Sequence, residues 1–598
     1  MATPNDTIPG RLFKQAERRP DAPAHHVKSG GVYRPKSYRE LADEVKRLGK
    51  AMIALGQKPG FTTCILGFNR SEWVAFDVAT MAAGGAPAGI YTTCSPEEVA
   101  YVVHHAESEI VLVEDASQWA KIEKMLGELP RLKQVVLMRG APRIDHALVT
   151  SYDAFLDKGK DVSDADFFAR IDALEPGGLA TLIYTSGTTG PPKGVMLSHQ
   201  NLAWTADAAQ RLVGGTAQDC VLSYLPLSHI AEQMFTIHGC ITMGGAAYFA
   251  EGIDKVPDNL KEVQPTLFFG VPRIWEKFHA GVQGKLKEAK GAKKALVAWA
   301  MDIAREATAE KMRGREPRGA LGLQYKLAQK LVFTKLKTAI GLSRARTCVS
   351  GAAPVGKEIL EFFASLDILV SEVYGQSEDT GPTTFNLPRH MKIGTVGTKL
   401  DGVEVKIAED GEILVKGPNV FLGYYKEPQA TADTLVDGWL HSGDLGQFDK
   451  DGFLSITGRK KEIIITAGGK NIAPKNIEAA LKNHPPIAEA VVIGDRRKFL
   501  TALVVIDPAA ASELAGAPGA DLAKLRNDPS VVAAVQKAVD SVNSTLARVE
   551  TVKKFHILDR AFTIESGELT PTLKLKRRVV YDHYASEIDR MYDGAQDA

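Results

Sequence analysis

The chain has 598 residues, 44% of them hydrophobic and 24% charged, with a formal net charge of +1; this is material for two or more packed domains and excludes a globally basic nucleic-acid binder. No apolar run reaches the roughly 20 residues needed to span a bilayer, and the opening MATPNDTIPGRLFKQAERRPDAPA lacks the apolar centre of a signal peptide, so a cytoplasmic address is expected. Cys64, Cys94, Cys220, Cys240 and Cys348 are scattered and odd in number, which argues against a disulfide framework or a zinc site and predicts reduced thiols in cores.

The first 180 residues alternate between helical and extended patterns. YRELADEVKRLGKAMIALG and SEWVAFDVATMAAG carry helical apolar spacing, whereas TTCILGF, ESEIVLVED and LKQVVLM are short buried strands of the parallel type. Next comes YTSGTTGPPKG, residues 184 to 194, in which glycines, hydroxyls and one lysine crowd a single loop. Glycines let backbone amides approach a ligand, hydroxyls add rotatable donors and lysine adds a point charge, which together suit a polyphosphate. The Walker A spacing fails, because Pro192 precedes Lys193 and Gly194 follows it. Apolar LATLIYTS leads in and GVMLSH leads out, so the loop is expected to join two strands before the helix NLAWTADAAQRLV.

VLSYLPL, AAYFA and TLFFGVP continue the strand pattern, giving an α/β class with doubly wound sheets. From Arg273 to Arg346 the texture is helical and basic, with 18 Lys and Arg against 6 Asp and Glu. Such a run serves as solvated helix faces or as a surface for anionic lipid or acidic ligands. Strands return at RTCVSG and LDILVSEVYG. From about Gly394, VEVKIAEDGEILVKG and DGWLHSGDLGQFDKDGFLSITG predict hairpins of a small β-rich subdomain turning at Asp-Gly pairs. DKDG is not a calcium loop, since Gln447 and Gly458 stand where the first and twelfth ligands belong. A helix opens at Pro474, ASELAGAPGAD reads as a loose stretch, and VVAAVQKAVDSVNSTLARVE reads as an amphipathic helix, in a separate small α+β domain. The expected division is a large domain over 1–459 and a small mobile one over 460–598.

Five segments occur in fixed order: YTSGTTGPPKG, YGQSE at 374 to 378, GEILVKGPNVFLGYYK at 411 to 426, DGWLHSGDLG at 437 to 446 and GRKKEIIITAGGKNIAP at 458 to 474. Together they resemble the adenylate-forming superfamily, which includes acyl-CoA synthetases, luciferases and nonribosomal adenylation domains, from about Phe13 to Arg578. The resemblance implies that a carboxylate attacks the α-phosphate of ATP, giving acyl-AMP and pyrophosphate, and that a thiol then takes the acyl group. It implies that Thr185, Ser186, Gly187, Thr188, Thr189, Gly190 and Lys193 hold the β- and γ-phosphates. Tyr374 and Gly375 would lie at the adenine, Ser377 on the α-phosphate, Glu378 on Mg²⁺, and Asp444 and Arg459 on the ribose hydroxyls. Gly351 and Ala352, in GAAP at 351 to 354, are expected at the nucleotide and acyl pocket, where small residues leave room or simply pack, as do Gly244 and Gly245.

GELTPTLKLKRR resembles the segment of the superfamily's catalytic lysine, with Thr572-Leu573 in place of the usual Ser-Gly. Lys574 and Lys576 both stand open for that role, and alignment on Arg577-Arg578 favours Lys574. By the same resemblance the small domain turns about Lys461, bringing in Lys574 for adenylation and Gly468, Gly469 and Lys470 for thiol transfer. LPLSHIAEQ and PTLFFGVPRIWEKF, followed by the basic insert, resemble long-chain fatty acyl-CoA synthetases of the bubblegum type. His229 would then sit near the acyl carboxylate, or else be a satisfied core histidine. ATP, Mg²⁺ and coenzyme A are the implied cofactors and a fatty acid the implied substrate. A ligase that loads an acyl carrier protein, a luciferase-like oxygenase and a non-catalytic nucleotide or lipid sensor are the alternatives.

Overall fold

The computed structural model describes residues 6–185, 191–468, 470–570 and 574–593. Its largest sheet has eight strands in the order Gly423–Tyr424, Lys193–Ser198, Leu179–Thr185, Ala86–Ile90, Thr62–Leu66, Ile110–Val113, Gln134–Leu137, Val149–Ser151. The six strands from Leu179–Thr185 onward run parallel, and TTCIL, IVLV and QVVL are buried at every position. That burial explains why they read as unbroken apolar runs, since helices cover both faces. Capping boxes start the helices Tyr38–Ala54, Pro96–His105 and His199–Val213, with Ser37/Glu40, Ser95/Glu98 and Ser198/Asn201 satisfying the first free amides.

A second sheet pairs Leu267–Gly270, Thr347–Ser350 and Val370–Tyr374 in parallel, then adds two short antiparallel strands. Neighbouring parallel strands need a crossover. Here the crossover from Gly270 to Thr347 is the basic helical region, made of Pro272–Lys287, Gly291–Met312, Gly319–Ala328 and Thr334–Ala339 with a π-turn over Gln329–Phe333. It encloses a core of its own around Ala304, Tyr325, Ala328 and Phe333, closed by Leu366.

The β-rich subdomain forms as its Asp-Gly turns predict. Glu404–Ile407 pairs antiparallel with Glu412–Lys416, and Trp439–Phe448 with Leu454–Arg459, in a register that sets Asp444 opposite Arg459. Asp449 Oδ1 accepts from the amides of Asp451 and Phe453, and Gly452 takes φ +83°. DKDG therefore closes a hairpin.

Beyond Arg459 the chain builds a three-stranded sheet, Ile487–Ile493, Leu500–Ile506 and Val552–Ile557. Its central strand Leu500–Ile506 alternates. Leu500, Ala502, Val504 and Ile506 face the helices Pro474–Lys482 and Pro529–Asn543, while Leu503 and Val505 face Val580, Ile588 and Met591. None of these hydrophobic clusters includes a residue before Ile464. Polar contacts cross to the first 459 residues, Arg273 to Glu489 at 3.4 Å, Asn483 Nδ2 to Glu358 at 3.1 Å and Lys460 to Glu412 at 3.0 Å, and Gly458 lies close against Ala473 and Ile463. A seam of that kind is typical of domains that do not share a core.

Two local expectations need correction. ASELA belongs to the helix Pro508–Ala515, capped by Asp507, so the loose stretch begins only at Gly516, where φ turns positive. The amphipathic helix stops at Asn543, whose side chain bonds Val552 in both directions and pins the strand that follows. All five cysteines are buried free thiols, and no described helix is long and apolar enough to cross a membrane.

One buried carboxylate ties down the end of the small domain. Glu568 is sealed from water beneath Arg560, which forks onto both of its oxygens at 2.8 and 2.6 Å, and Ser566 and His583 add further bonds. Burial alone would raise its pKa, but the Arg560, His583 and Ser566 bonds outweigh burial and bring it from 4.5 down to about 2. A depressed carboxylate stabilises the fold above its unfolded pKa and loses that contribution as pH falls. Thermal unfolding followed by circular dichroism should therefore show a loss of stability between pH 4.5 and about 2, and Glu568→Gln should flatten that part of the profile while lowering stability at neutral pH.

Candidate active site

The hairpin that carries YTSGTTGPPKG is formed by Leu179–Thr185 and Lys193–Ser198, paired antiparallel with Thr185 opposite Lys193. The strand-loop-strand expectation holds, while Ser186, Gly187, Thr188, Thr189 and Gly190 lie outside the described residues. Lys193 starts the outgoing strand, and its Nζ stands 4.9 Å from the centre of the Tyr424 ring. Tyr424 is held there because Gly423–Tyr424 adds a strand alongside Val195 and Met196. Its Oη donates to Glu378 Oε1 at 2.8 Å. Lys193 and Glu378, the carboxylate expected at Mg²⁺, thus meet through a tyrosine that the sequence does not single out, although GYYK contains it.

Glu378 itself projects from YGQSE. Val370–Tyr374 ends at Tyr374, and the chain then turns through Gly375 into a short 3₁₀ segment, Ser377–Asp379. Gly375 is required there, since a Cβ would stand 1.5 Å from the carbonyl oxygen of Gly381. Asp379 is buried and accepts from the Gln376 amide and Thr383 Oγ1, both at 2.7 Å, which fixes the turn. Ser377 is buried beside it. Gly351 and Ala352 follow the neighbouring parallel strand. A side chain on Gly351 would strike Val373, and Ala352 takes the left-handed φ of 69° that non-glycine residues adopt only under constraint. Ser350 Oγ and Gln376 Nε2 are buried beside these turns without a hydrogen-bond partner among the described residues. The crevice lies at the carboxyl ends of parallel strands, the usual ligand position in open α/β sheets, and its orphaned donors suit a polar ligand.

Tyr374 Oη donates to Asp444 Oδ2 at 3.1 Å, and Arg459 Nε donates to Asp444 Oδ1 at 2.8 Å. Three segments of the chain therefore converge on one carboxylate. The antiparallel register supplies the Asp444–Arg459 match, and Asp444 is only 8% exposed. Its contacts differ from those of the Asp-Gly turn residues, as its place in SGDLG predicts.

Lys574 faces this group from the small domain. Burial lowers its pKa first, Arg459 and Lys475 lower it further, and Glu378 and Asp444 act the other way. The side chain keeps contact with solvent while protein crowds it on most sides, as expected for a group in the mouth of a cleft. Its backbone is clamped by two hydrogen bonds with Thr570 and by the adjacent pairing of Leu569 with Leu575. Arg577, three residues on, bonds both oxygens of Glu478 at 2.6 Å and so ties the same segment to the helix Pro474–Lys482. Lys576, the other lysine of the motif, lies close enough to Cys94 to act on its thiol.

His229 caps the helix Ile230–Gln233, its Nδ1 accepting from the Ala231 amide at 3.1 Å. Burial and then the Lys574 charge push its pKa to about 4. It is therefore a neutral imidazole at physiological pH, and with Nδ1 accepting, Nε2 carries the proton. The helix continues as a π-turn over Met234–Gly239, a departure from regular helix often found at functional sites. Gly244 and Gly245 do not open space: a Cβ on Gly244 would meet Arg19 at 2.5 Å and one on Gly245 the Asp219 carbonyl at 2.8 Å. They are small because the helix Ile8–Arg18 and the Asp219 turn pack against them.

Lys461 lies in the exposed turn Lys460–Glu462 that follows Arg459. Gly468 and Lys470 occupy the exposed tip of the hairpin Ile464–Ile465/Asn471–Ile472, where Thr466 bonds the Lys470 backbone. Gly469 lies outside the described residues. Lys193, Glu378, Tyr374, Asp444, Arg459, Lys574 and His229 are thus gathered at the seam. Lys470 shares no hydrogen bond or ion pair with them among the described residues.

This arrangement has known counterparts. Residues 12–425 match the family model described as AMP-binding enzyme, and residues 461–596 match the AMP-binding enzyme C-terminal domain. The long-chain-fatty-acid–CoA ligase ACSBG2 of Xenopus laevis is 40% identical over 95% of this chain and 81% of its own. The long-chain-fatty-acid–CoA ligase FadD15 of Mycobacterium bovis is 36% identical over 98% and 97%. The crystal structure of ATP-bound MatB from Rhodopseudomonas palustris superposes with a TM-score of 0.70, at 25% identity over 97% of this chain and 99% of that one. The chain belongs to the AMP-binding enzyme family.

Proposed function

We propose that the chain is an AMP-forming long-chain fatty acid–CoA ligase, in which a fatty carboxylate and ATP give acyl-AMP and pyrophosphate and the thiol of coenzyme A then gives the thioester and AMP. The observation that carries this reading is the convergence of Lys193, Arg459 and Lys574, together with the carboxylates of Glu378 and Asp444, on one crevice beside two separately packed hydrophobic cores. The names borne by the relatives supply the long-chain acid and the CoA acceptor. The separate cores support a division at 459/460, with Lys461 as the turning point.

A carboxylate is a weak nucleophile and ATP is a polyanion, so catalysis here consists of neutralising charge and aligning the attack. In this reading Tyr374 and Gly375 line the adenine pocket, and Asp444, oriented by Tyr374 and Arg459, accepts from the ribose hydroxyls. Ser377 binds the α-phosphate. Lys193 and the hydroxyls and amides of residues 185–190 hold the outer phosphates. Gly351 and Ala352 bound the pocket with backbone alone. Glu378 suits Mg²⁺ because Tyr424 takes one oxygen and the other has no hydrogen bond among the described residues, and the ion would there neutralise phosphate charge. The ammonium of Lys574, disfavoured by Arg459 and Lys475, becomes favoured once the carboxylate and phosphate oxygens arrive between them. Neutral His229, donating from Nε2, suits the acyl carboxylate. Rotation about Lys461 would withdraw Lys574 and bring Gly468, Gly469 and Lys470 to the crevice for thiol attack, keeping water from the mixed anhydride.

Lys574→Ala should slow acyl-AMP formation, read as exchange of labelled pyrophosphate into ATP with a fatty acid present, by roughly a hundred-fold or more, yet spare thioester formation from supplied acyl-AMP. Equal losses in both steps would remove the assignment, and no exchange in the unsubstituted enzyme across fatty acids of graded length would remove the function. Tyr424→Phe should leave the fold intact and raise the Mg²⁺ concentration for half-maximal exchange roughly tenfold; an unchanged magnesium titration would show that the Tyr424 bond does not orient Glu378.

A further inference from the structure

Leu323, Leu327 and Leu331 are 73%, 49% and 42% exposed. They succeed one another at intervals of four along the helix Gly319–Ala328 and the π-turn that continues it, a stripe roughly 12 Å long. The opposite side of the same helix is packed: Tyr325, Ala328, Val332 and Phe333 are buried in the core of the crossover. This element therefore has two apolar faces, and one of them is exposed to solvent. The other exposed large apolar side chains are spread from Val27 to Val549, and Leu296 is the one on the helix Gly291–Met312 packed alongside. Lys326, Lys330 and Lys335 flank the stripe and are exposed, and none has an acidic partner among the described residues. Lys293 and Lys294 on the neighbouring helix are likewise exposed.

We propose that the stripe Leu323-Leu327-Leu331, with Lys326, Lys330 and Lys335 beside it, docks the protein on the surface of an anionic lipid bilayer. Three leucines on a fixed helix face bury into the boundary between headgroups and acyl chains, while lysines at their flanks reach the phosphates. The charge selects the occupant. A second copy of this chain, applied about a two-fold axis, would set these lysines against each other, whereas lipid phosphates answer every one of them. Docking is a property of the crossover and is independent of the catalytic reading. Its use in collecting a fatty acid from the bilayer rests on that reading.

The test is sedimentation of the full chain with vesicles of phosphatidylcholine alone and of equimolar phosphatidylcholine and phosphatidylglycerol, at low and high salt. Binding is expected to the mixed vesicles at low salt and to fall at high salt. Leu323→Asp with Leu327→Asp should weaken it at least roughly tenfold. Lys326→Gln with Lys330→Gln and Lys335→Gln should weaken it by a similar factor and flatten its salt dependence. Circular dichroism melts and pyrophosphate exchange with a short, water-soluble acid report the fold and the active site separately, and both should be unchanged in these variants. The proposal is overturned if the unsubstituted protein stays in the supernatant with mixed vesicles, if the leucine variant binds as well as the parent, or if that variant converts a dimer to a monomer without altering vesicle binding.

Discussion

The Asp444 carboxylate is the point on which the rest of the crevice is built. It accepts from Tyr374, at the end of a parallel strand, and from Arg459, its cross-strand partner in the β-rich subdomain, so it joins two sheets that share no strand. A carboxylate this far from water is tolerated because both oxygens are bonded and one partner is charged. Beyond Arg459 the chain passes through the exposed turn Lys460–Glu462 towards a separately packed hydrophobic core that begins at Ile464. The same pair therefore anchors both the crevice and the start of that passage.

The small domain reaches the crevice with a clamped segment. Glu568 and Glu478, each bound in a two-pronged contact by an arginine, bracket the residues that present Lys574. The hydrogen bonds and ion pairs across the seam, by contrast, each involve an exposed side chain. Stiffness inside the domain and looseness between domains are complementary. The lysine keeps its orientation within its own body, while that body is attached through few bonds that water can replace.

The sheets and their order of appearance were legible because burial on both faces forces continuous apolar runs, and the hairpins because Asp-Gly pairs declare their turns. The site was legible where chemistry demanded rare composition, as in the hydroxyl-rich loop and in YGQSE. Tyr424 escaped notice because its role depends on a two-residue edge strand that brings it beside Lys193, and no local pattern encodes that pairing. The roles of Arg577 and Glu568 were hidden for the same reason: their partners lie 99 and 8 residues away, and a buried ion pair looks like surface charge when read in one dimension. The sequence left the glycines at 244 and 245 open between an acyl pocket and close packing, since both leave the same residue, and the structure shows packing. ASELA was taken for loop because the Gly and Pro that follow it are stronger signals than a helix of eight residues.

The basic helical excursion begins and ends on adjacent parallel strands, at Gly270 and Thr347. Its two anchors are thus neighbours in space whatever lies between them, and the entropy of closing such a detour grows only slowly with its length. Evolution can lengthen, shorten or recharge this part of the molecule without shifting the strand that delivers Ser350 and Gly351 to the crevice. The fold thereby separates the crevice from an exterior that can change without disturbing it.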